Sequence, residues 1–393
     1  MAEQAPQPVD NPFTNLDVKH LRRRTSSKWR TYPADVLPLW VAEMDAVLAS
    51  PIVAAVHDAL ADGDTGYPAG VGYAEAMARF AADRWAWSFD PSTTAAVTDV
   101  VTGILEVIRV VSPADEMIVL TPPIYPPFAG VAKSLGRTVV PAPLGPDGRL
   151  DPAALAAAFI TATAGGRGAV LLLSNPHNPT GNVPTRAELD EVARLARRYG
   201  VRVIADEIHA PLVMPGATFT PYLAASGTGQ DFSVTSASKG WNLAGFKAAV
   251  IVPGADAAPD LASRLPREGS FPGHIGLIAH TAAYNHARPW LDAVVAGIDA
   301  NWQALAALLR EHLPAARYRL PESTYLAWID CRALGLGDDP AAAFLERGRV
   351  ALMSGIPFGE GGAGHVRLNL ATSPAILAEA VTRMASVQAM ADT

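Results

Sequence analysis

The stretch Ser236-Ala237-Ser238-Lys239-Gly240-Trp241-Asn242-Leu243-Ala244-Gly245-Phe246-Lys247 frames one lysine with small residues and places a second cation eight positions later. Such a context is typical of a lysine that forms a Schiff base beside a phosphate-binding pocket. Upstream lie Ser174-Asn175-Pro176-His177-Asn178-Pro179-Thr180-Gly181 and Ala205-Asp206-Glu207-Ile208-His209. In this order, the three motifs predict a site for pyridoxal 5'-phosphate.

The composition favours a globular protein with an ordinary surface charge. The 393 residues suffice for one large domain and a smaller partner, and 50% of them are hydrophobic. The formal charge of -7 argues against a surface that binds nucleic acid, so we interpret the run Arg22-Arg23-Arg24 as a solvated local face. No nucleic-acid partner is therefore expected.

The single cysteine, Cys331, excludes an intramolecular disulfide and a cysteine-based zinc site, which suits a reducing compartment. The first residues lack the charged and apolar regions of a signal peptide. No apolar run approaches the roughly 18 residues that cross a bilayer. We therefore expect a cytoplasmic protein without a membrane partner.

Apolar runs alternate with helical stretches from about Val100 onwards, which is typical of a largely parallel α/β sheet. One intervening helix is well marked, because Thr185 and Glu188 have capping-box spacing and Gly200 follows the helical pattern. Ligands of such sheets bind beyond the carboxyl ends of the strands. Each of the three motifs follows a predicted strand, so we expect them to meet at one rim. The predicted strands are residues 117–120, 169–173, 201–205, 232–235 and 248–252.

A smaller unit is predicted at the carboxyl end of the chain. A long helical stretch begins at Trp290, and strand-like runs follow at residues 325–329 and 366–370. We therefore expect a large cofactor-binding domain at residues 48–286 and a small domain at residues 287–393. The first segment, residues 1–47, is expected to pack with the small domain.

Lys239 and Asp206 have the central chemical roles in the predicted site. Lys239 is expected to carry the cofactor and, once the substrate amine displaces it, to remove the α-proton. Asp206 follows an apolar strand, where an ionised carboxylate needs a cationic partner, and a protonated pyridine nitrogen supplies one. A helix-capping role is the structural alternative for Asp206.

Asn178 lies in a loop stiffened by two prolines, which suits an amide that hydrogen-bonds the phenolic oxygen of the cofactor. His209 is expected to support the cofactor ring or the same oxygen. His177 and His209 come from separate loops and have no third ligand at a defined spacing. No metal site is therefore predicted.

The phosphate group is expected to bind the hydroxyls of Ser236 and Ser238, the charge of Lys247, and backbone N–H groups at Gly103-Ile104-Leu105. The glycine of this last run suggests close backbone approach at a helix start. The run Gly359-Glu360-Gly361-Gly362-Ala363-Gly364 lacks the Lys-Ser/Thr of a nucleotide loop and is interpreted as a flexible turn.

Two further side chains complete the predicted site. Tyr125, flanked by prolines, suits stacking on the cofactor ring, although plain core packing explains an aromatic residue there equally well. Arg367 lies between apolar residues, where a guanidinium requires an anion, and the α-carboxylate of an amino-acid substrate fits its two-pronged geometry. An internal salt bridge is the alternative for Arg367.

These motifs resemble the fold-type I pyridoxal phosphate enzymes of the class I and II aminotransferase superfamily, and among them the cystathionine β-lyases of the MalY/PatB type. The resemblance covers nearly the whole chain. It implies an α/β protein of the aspartate aminotransferase-like fold, with a mostly parallel seven-stranded sheet in the large domain and a smaller α+β domain. Its branch-specific residues are Lys28-Trp29, Leu37-Pro38-Leu39-Trp40-Val41-Ala42-Glu43-Met44-Asp45, Gly66-Tyr67-Pro68, His177, Asp206-Glu207-Ile208-His209 and Thr324-Tyr325-Leu326-Ala327-Trp328.

The resemblance also implies a homodimer with active sites at the subunit interface, in which Tyr67 reaches the phosphate bound to the neighbouring subunit. The implied reaction is an α,β-elimination that converts an amino acid with a sulfur-linked side chain into a thiol, pyruvate and ammonia. The implied catalytic residues are Lys239, Tyr67 and Tyr125, and the implied substrate contacts are Arg367, Asn178, Trp40 and Val41.

Departures from the family pattern fall near the expected substrate. Glu43 and Ala46 stand where Asp and Phe are usual, Gly240-Trp241 stands where Thr-Phe is common, and Asn182 stands where Arg is usual. The replacement of a bulky aromatic residue by Ala46 suggests an enlarged side-chain pocket. We therefore expect cystathionine or a larger cysteine S-conjugate as the substrate.

Other reactions at the α-carbon stay open, because the sequence does not show which bond stands perpendicular to the cofactor ring. An aminotransferase is the main alternative, followed by a decarboxylating or oxidatively deaminating enzyme that acts on an S-conjugated amino acid in specialised metabolism. A regulatory protein on the same fold is disfavoured, because the segment before Lys28 is too short for a helix-turn-helix domain.

Overall fold

The computed structural model describes residues 10–14, 16–264 and 271–391. Residues 1–9 and Asn15, which belong to the predicted segment at residues 1–47, lie outside the described residues. The described strands are β1 (Leu37–Pro38), β2 (Ala95–Val97), β3 (Met117–Leu120), β4 (Val139–Pro141), β5 (Ala169–Ser174), β6 (Val201–Asp206), β7 (Phe232–Thr235), β8 (Ala249–Pro253), β9 (Arg317–Tyr318), β10 (Leu326–Asp330), β11 (Val350–Ala351), β12 (Met353–Ser354) and β13 (His365–Asn369).

The described α-helices range from single turns to the long α11. None of them combines the length and the apolar character that crossing a membrane requires. The helices are α1 (Val18–Leu21), α2 (Ser27–Arg30), α3 (Ser50–Ala61), α4 (Gly72–Trp85), α5 (Val100–Val111), α6 (Pro126–Ser134), α7 (Pro152–Ala162), α8 (Arg186–Tyr199), α9 (Ala258–Arg264), α10 (His274–His286), α11 (Arg288–His312), α12 (Pro340–Glu346) and α13 (Pro374–Ala391).

A seven-stranded sheet forms the centre of the fold, in the strand order β2-β8-β7-β6-β5-β3-β4. Strands β7, β6, β5, β3 and β4 run parallel to one another, whereas β8 is antiparallel to both of its neighbours. The predicted apolar strands are confirmed as β3, β5, β6, β7 and β8, with ends that shift by at most one residue. The prediction of a mostly parallel seven-stranded sheet is therefore confirmed.

Both faces of this sheet are covered, which explains why its strands are unbroken apolar runs. In β5, Val170 and Leu172 pack into one core cluster with residues of α5 and α6. Leu171 and Leu173, which alternate with them, pack into a second cluster with residues of α7 and α8. The strand therefore carries no polar face, and its first polar side chain, Ser174, falls at its carboxyl end.

Helix α8 begins and ends where the sequence signals predict. The Thr185 hydroxyl accepts a hydrogen bond from the N–H group of Glu188, and the Glu188 carboxylate accepts one from the N–H group of Thr185. Gly200 ends the helix in the left-handed conformation, with φ at 69°. Because α8 links β5 to the parallel strand β6, this short helix fixes the relative position of two of the three motifs.

The carboxyl-terminal part contains a four-stranded antiparallel sheet in the order β12-β13-β10-β9, together with α11 and α13, which contact each other. Helix α11 begins at Arg288, two residues before the predicted position. Strand β1 pairs in parallel with β11, so the amino-terminal segment contacts this part of the molecule. The boundaries at residues 48 and 287 stay a prediction.

Residues 41–46, which we call the strap, follow β1 and are held by side chains from distant parts of the chain. The Asn369 amide donates to the carbonyl oxygens of both Val41 and Glu43, each at 2.7 Å. Asn242 accepts from the N–H group of Met44 at 2.8 Å and donates to its carbonyl oxygen at 3.0 Å. The backbone of the strap is therefore fixed by groups almost 200 and more than 300 residues away in sequence.

A buried ion pair holds the other side of the strap. The Lys28 ammonium lies 2.8 Å from a carboxylate oxygen of Asp45, and both side chains are almost completely buried. The Trp29 indole N–H donates to the same carboxylate at 2.9 Å. Arg24 donates to the carbonyl oxygens of Met44 and Ala46. The amino-terminal segment is thus anchored to the strap by charged as well as neutral contacts.

Candidate active site

A cavity of about 190 Å³ lies at the rim where three neighbouring strands end. Asp206 is the last residue of β6, and the other two motifs follow β5 and β7. The structure therefore brings the three motifs together. The predicted site residues that line the cavity are Tyr125, Asn178, Asp206, His209, Ser238, Lys239 and Lys247.

The Lys239 amine donates a hydrogen bond of 2.9 Å to the carbonyl oxygen of Ala42, which belongs to the strap. Burial and the nearby charge of Arg367 lower the pKa of Lys239 to about 8, against the opposing effect of Asp206 and Glu43. In mildly alkaline water much of this amine is neutral, and the neutral form is the one that acts as a nucleophile or a base.

Ser236 shapes the loop that carries the lysine. Its hydroxyl donates to the carbonyl oxygen of Ala248 at 2.6 Å and accepts from the N–H group of Ser238 at 3.1 Å. Ser236 does not line the cavity, whereas Ser238 does. The predicted phosphate contact of Ser236 would require these hydrogen bonds to change, so the placement favours Ser238 for that role.

Asp206 is a buried carboxyl group with few partners. One of its oxygens accepts from the N–H group of Ile208 at 3.0 Å. Burial raises the pKa of Asp206 to about 7, although that hydrogen bond and the charge of Lys239 lower it. Among the described residues Asp206 forms no ion pair. A cation placed in the cavity beside this group would be bound strongly, because it would restore the charged form of the carboxylate.

Asn178 and Arg367 contact each other although 189 positions separate them. The Arg367 guanidinium donates to the Asn178 side-chain oxygen at 3.0 Å, and a second guanidinium nitrogen, Nε, is buried without a partner in the described structure. No carboxylate among the described residues pairs with Arg367, so the alternative of an internal salt bridge is not formed. Burial lowers the pKa of Arg367 to about 10. A buried, unpaired guanidinium is suited to bind an anionic ligand.

His209 and Tyr125 occupy the walls of the cavity. Burial, assisted by the charges of Lys239 and Arg367, lowers the pKa of His209 to about 3, so its imidazole is neutral. Its Nδ1 atom is buried and has no hydrogen-bond partner among the described residues. The Tyr125 ring contacts Phe128 edge-on, with ring centres 5.8 Å apart, and Tyr125 still lines the cavity. Both placements are compatible with contacts to an aromatic ligand, which stay a prediction for each residue.

The end of the cavity at Lys247, where the phosphate group is predicted to bind, differs from its sequence-based description. The residues that line this end of the cavity are Thr98, Asp99, Val100 and Val101, whereas the predicted Gly103, Ile104 and Leu105 do not line it. Helix α5 begins at Val100, and the Gly103 N–H group already donates to the carbonyl oxygen of Asp99 within this helix. A side chain at Gly103 would meet Val234 at 2.8 Å. The glycine therefore permits close packing of helix on sheet, whereas the start of the helix, at Val100 and Val101, lines the cavity.

Four further predicted residues lie outside the cavity lining, and one of them, Arg367, contacts the lining through its hydrogen bond to Asn178. Tyr67 precedes α4 and is fully exposed to solvent in the single chain. Trp40 and Val41 are partly buried, and the Trp40 ring contacts Tyr32 edge-on at 5.9 Å. Their neighbour Ala42 lines the cavity instead. Contacts of Tyr67, Trp40 and Val41 with cofactor or substrate stay predictions.

Two groups beside Lys239, the Ala42 carbonyl and the Tyr325 hydroxyl, are not among the predicted site residues. The Ala42 carbonyl oxygen accepts from Lys239 and also from the Tyr325 hydroxyl, at 3.1 Å. Tyr325 is buried and lies edge-on to the His209 ring, with ring centres 6.3 Å apart. A backbone carbonyl group gives no signal in a sequence. Tyr325, in contrast, lies in the run Thr324-Tyr325-Leu326-Ala327-Trp328, which resembles the family.

Two residues that depart from the family pattern, Ala46 and Trp241, do not line the cavity. Ala46 is buried in the main hydrophobic core and does not line the cavity, so the structure gives no support to an enlarged pocket at this residue. Trp241 is also buried, contacts Phe80 and Tyr284, and donates to the carbonyl oxygen of Ala287 at 2.8 Å. Both residues therefore belong to the packed core and not to the lining of the cavity.

The histidines do not form a metal centre with other ligands. His177 is buried, hydrogen-bonds the Thr180 hydroxyl through Nδ1 at 2.9 Å, and has its pKa lowered to about 4 by burial. Across the described ranges, no group of three or more His, Cys, Asp or Glu residues is arranged to hold a metal ion.

Comparisons with known proteins agree with this geometry. The family model described as aminotransferase class I and II matches residues 47–384. A Mycobacterium leprae protein, provisionally named a cystathionine beta-lyase, is 52% identical over 394 residues, which covers 96% of this chain and 98% of that protein. Cystathionine beta-lyase PatB of Bacillus subtilis is 32% identical over 387 residues, covering 94% of this chain and 98% of PatB.

A solved structure extends the similarity to the fold. The crystal structure of a Corynebacterium diphtheriae protein, provisionally named a PLP-dependent beta-cystathionase, superimposes with a TM-score of 0.90. The two chains are 33% identical, and the match covers 96% of this chain and 99% of the other. The similarity therefore includes the strap, the sheet and the carboxyl-terminal part.

Proposed function

We propose that this chain, which belongs to the class I and II aminotransferase family and there to the MalY/PatB-type carbon–sulfur lyases, cleaves the sulfur-linked group from cystathionine or a larger cysteine S-conjugate. The products are a thiol, pyruvate and ammonia. One observation carries the proposal: a partly neutral amine and a buried carboxyl group line one cavity together with Asn178, which accepts a hydrogen bond from the buried guanidinium of Arg367.

The groups in the cavity fit pyridoxal 5'-phosphate, the cofactor of this family. The cavity supplies an amine at Lys239 and a carboxyl group at Asp206 that lacks a cation, which suits a protonated pyridine nitrogen. Asn178 and His209 would hold the ring substituents, and Lys247 with Ser238 would hold the phosphate. When bound, this cofactor supplies an electron sink for the bonds at the α-carbon of an amino acid.

Arg367 is the residue that would bind the substrate α-carboxylate. Its guanidinium is buried, carries a donor without a partner, and is oriented by the hydrogen bond to Asn178. A carboxylate would satisfy the free donor and neutralise the buried charge in one step. This contact would fix the position of the α-carbon relative to Lys239, because Asn178, the hydrogen-bond partner of Arg367, lines the same cavity as that lysine.

Lys239 is the residue that would take the α-proton. Its lowered pKa keeps a share of the amine neutral, and a neutral amine has the lone pair that proton removal needs. Once protonated, the ammonium would be stabilised by the Ala42 carbonyl oxygen, which already accepts from this nitrogen. His209 stays neutral and therefore adds no further positive charge beside the ammonium.

We also infer a homodimer. Tyr67 is fully exposed and adjoins a depression of about 680 Å³, which is larger than the active-site cavity but lacks its chemical groups. Val71 and Phe271 line this depression and are exposed apolar side chains. Apolar exposure of this kind favours contact with a second copy of the chain. Sedimentation of the purified protein should therefore give twice the chain mass.

A cytoplasmic location stays a prediction from the single cysteine.

The direct test is incubation of the purified, pyridoxal phosphate-loaded protein with cystathionine and, separately, with an aryl-substituted cysteine S-conjugate. Pyruvate and free thiol should appear in equal amounts. Lys239→Ala should abolish both products, whereas Lys133→Ala, which alters an exposed lysine on α6, should retain them. Turnover that requires an added keto acid and releases no thiol would contradict the proposal and favour an aminotransferase.

A further inference from the structure

We infer that Asp99 limits the affinity of this protein for the phosphate group of its cofactor, because its carboxylate already occupies both positive elements to which that phosphate must bind. These elements are the amino-terminal end of α5 and the ammonium of Lys247. The inference rests on the proposed use of pyridoxal 5'-phosphate and concerns how tightly the chain holds it.

The geometry of Asp99 is that of a double acceptor. One carboxylate oxygen accepts from the N–H group of Thr102 at 2.9 Å and caps the first turn of α5. The other oxygen accepts from the Lys247 ammonium at 2.9 Å. Asp99, Lys247, Val100 and Val101 all line the cavity. The carboxylate thus lies between the helix start and the lysine, at the end of the cavity where a phosphate would bind.

The carboxyl group of Asp99 is ionised at neutral pH. Although burial raises its pKa, the Thr102 N–H group and the charge of Lys247 outweigh this effect and lower the pKa below its ordinary value. Lys247 is the only cation that pairs with Asp99 in the described ranges. A phosphate that arrives here must share Lys247 with a carboxylate or displace it, and it must also approach a like charge. Each of these costs affinity relative to a neutral residue at the same position.

The pair is well suited to such an exchange, because it is accessible to solvent. The side chains of Lys247 and Asp99 are 60% and 32% exposed, so neither charge is trapped by burial. Solvent screening also limits the size of the effect. We expect removal of the Asp99 charge to tighten the binding of the phosphorylated cofactor roughly three- to tenfold.

Asp99→Asn is the sharpest variant for this test. Asparagine caps helices about as well as aspartate, so the hydrogen bond to Thr102 is kept while the charge is removed. Cofactor-free wild type and variant are titrated with pyridoxal 5'-phosphate and, in parallel, with pyridoxal, which lacks the phosphate. The expected result is a lower Kd for pyridoxal 5'-phosphate and an unchanged Kd for pyridoxal. Inorganic phosphate should also compete more strongly with the cofactor in the variant.

Two further variants control for charge and folding. Asp115→Asn removes one negative charge at an exposed position and should leave both affinities unchanged. Asp99→Ser keeps a capping oxygen and should repeat the result if Asp99→Asn folds poorly. Lys247→Met should weaken the binding of pyridoxal 5'-phosphate and not that of pyridoxal. Thermal unfolding of each variant confirms that the titrated protein is folded.

The inference is overturned if Asp99→Asn binds pyridoxal 5'-phosphate no more tightly than wild type, which would mean that Asp99 holds Lys247 in a productive position. An equal change for pyridoxal would also overturn it, because the effect would then not involve the phosphate. Since binding is measured without turnover, tight binding with no lyase activity would refute the proposed reaction and leave this inference standing.

Discussion

Two lysine–aspartate pairs of almost the same length lie in very different surroundings. Lys28 and Asp45 approach to 2.8 Å beneath the strap, with exposed fractions of 0% and 1%. Lys247 and Asp99 approach to 2.9 Å at the end of the cavity where we propose that the phosphate binds, with exposed fractions of 60% and 32%. The buried pair cannot exchange partners without leaving a charge in the core, whereas the exposed pair can. Burial, rather than distance, therefore decides whether such a pair fixes a backbone or regulates a ligand.

The largest difference should appear when one partner of the buried pair is removed. Lys28→Met leaves the buried Asp45 carboxylate with only the Trp29 N–H group and the more distant Arg24, at 3.9 Å, as partners, so we expect the free energy of unfolding to fall by about 3 kcal/mol. Urea denaturation measures this loss. Combining Lys28→Met with Asp45→Leu should recover a large part of it, because no carboxylate is then left buried, and Arg24 keeps part of its side chain in solvent. A loss below about 1 kcal/mol for Lys28→Met alone would show that the pair is no more important than an exposed one.

Arg367 extends the comparison to a buried cation that has no carboxylate at all. Arg367→Met should lower kcat/KM for cystathionine by about two to three orders of magnitude, because the α-carboxylate loses its charged partner. In the absence of substrate the same change should leave the free energy of unfolding within about 1 kcal/mol of wild type, since it removes an unpaired buried charge.

The matched control is Arg332→Met, which alters a mostly exposed guanidinium paired with Asp330. It should change neither kcat/KM nor stability by a measurable amount. Strong destabilisation by Arg367→Met without substrate would mean that this arginine stabilises the fold and does not serve mainly to bind an anion.

Asp206 is also a buried carboxyl group. Unlike Asp45, which pairs with Lys28, it forms no ion pair among the described residues. Its pKa is raised from 3.8 to about 7, so the folded protein keeps a proton that the unfolded chain releases. Stability contributed by this group is therefore lost as the pH rises through the window between these two values. Relative to Asp206→Asn, the cofactor-free wild type should lose about 4 kcal/mol of unfolding free energy across this window. Urea titrations at several pH values test this, and a pH-independent difference would refute it.

The smallest effect is expected at the exposed pair itself. Lys247→Met should change the free energy of unfolding of the cofactor-free protein by less than about 1 kcal/mol, because solvent screens both charges. The same urea assay as for Lys28→Met provides the direct comparison. If the two variants lost equal stability, the contrast between the two pairs would not hold.

The sheet and the central residues of the site could be predicted because their signals are local. Strands β5, β6 and β7 are apolar runs bounded by polar residues, and the polar residues that follow them, including Asp206 and Lys239, meet at one rim in any parallel sheet of this order. The capping box of α8 is equally local. The comparisons then confirm the family and its cofactor.

The parts that the sequence did not predict depend on contacts across the chain. The contact between Lys239 and Ala42 spans 197 positions, and the contact between Tyr325 and Ala42 spans 283. The sequence predicts that the Gly103 backbone lies close to the phosphate, because glycine has no side chain to prevent it. The group that actually lies close to Gly103 is the Val234 side chain in the sheet. Ser236 likewise has a hydroxyl of the right chemistry, which the turn before β8 uses instead. Residue type alone does not distinguish a ligand from a neighbouring backbone or side chain.

The reversed strand β8 has a consequence for how this rim is assembled. In a wholly parallel sheet, the residues that enter a strand and those that leave it are kept on opposite edges. Here Thr235, at the exit of β7, pairs with Val250, near the entrance of β8. Lys247, which precedes β8, therefore reaches the cavity only a short chain segment after Lys239. A single change of strand direction thus lets one continuous loop supply two of the cavity's amino groups, those of Lys239 and Lys247.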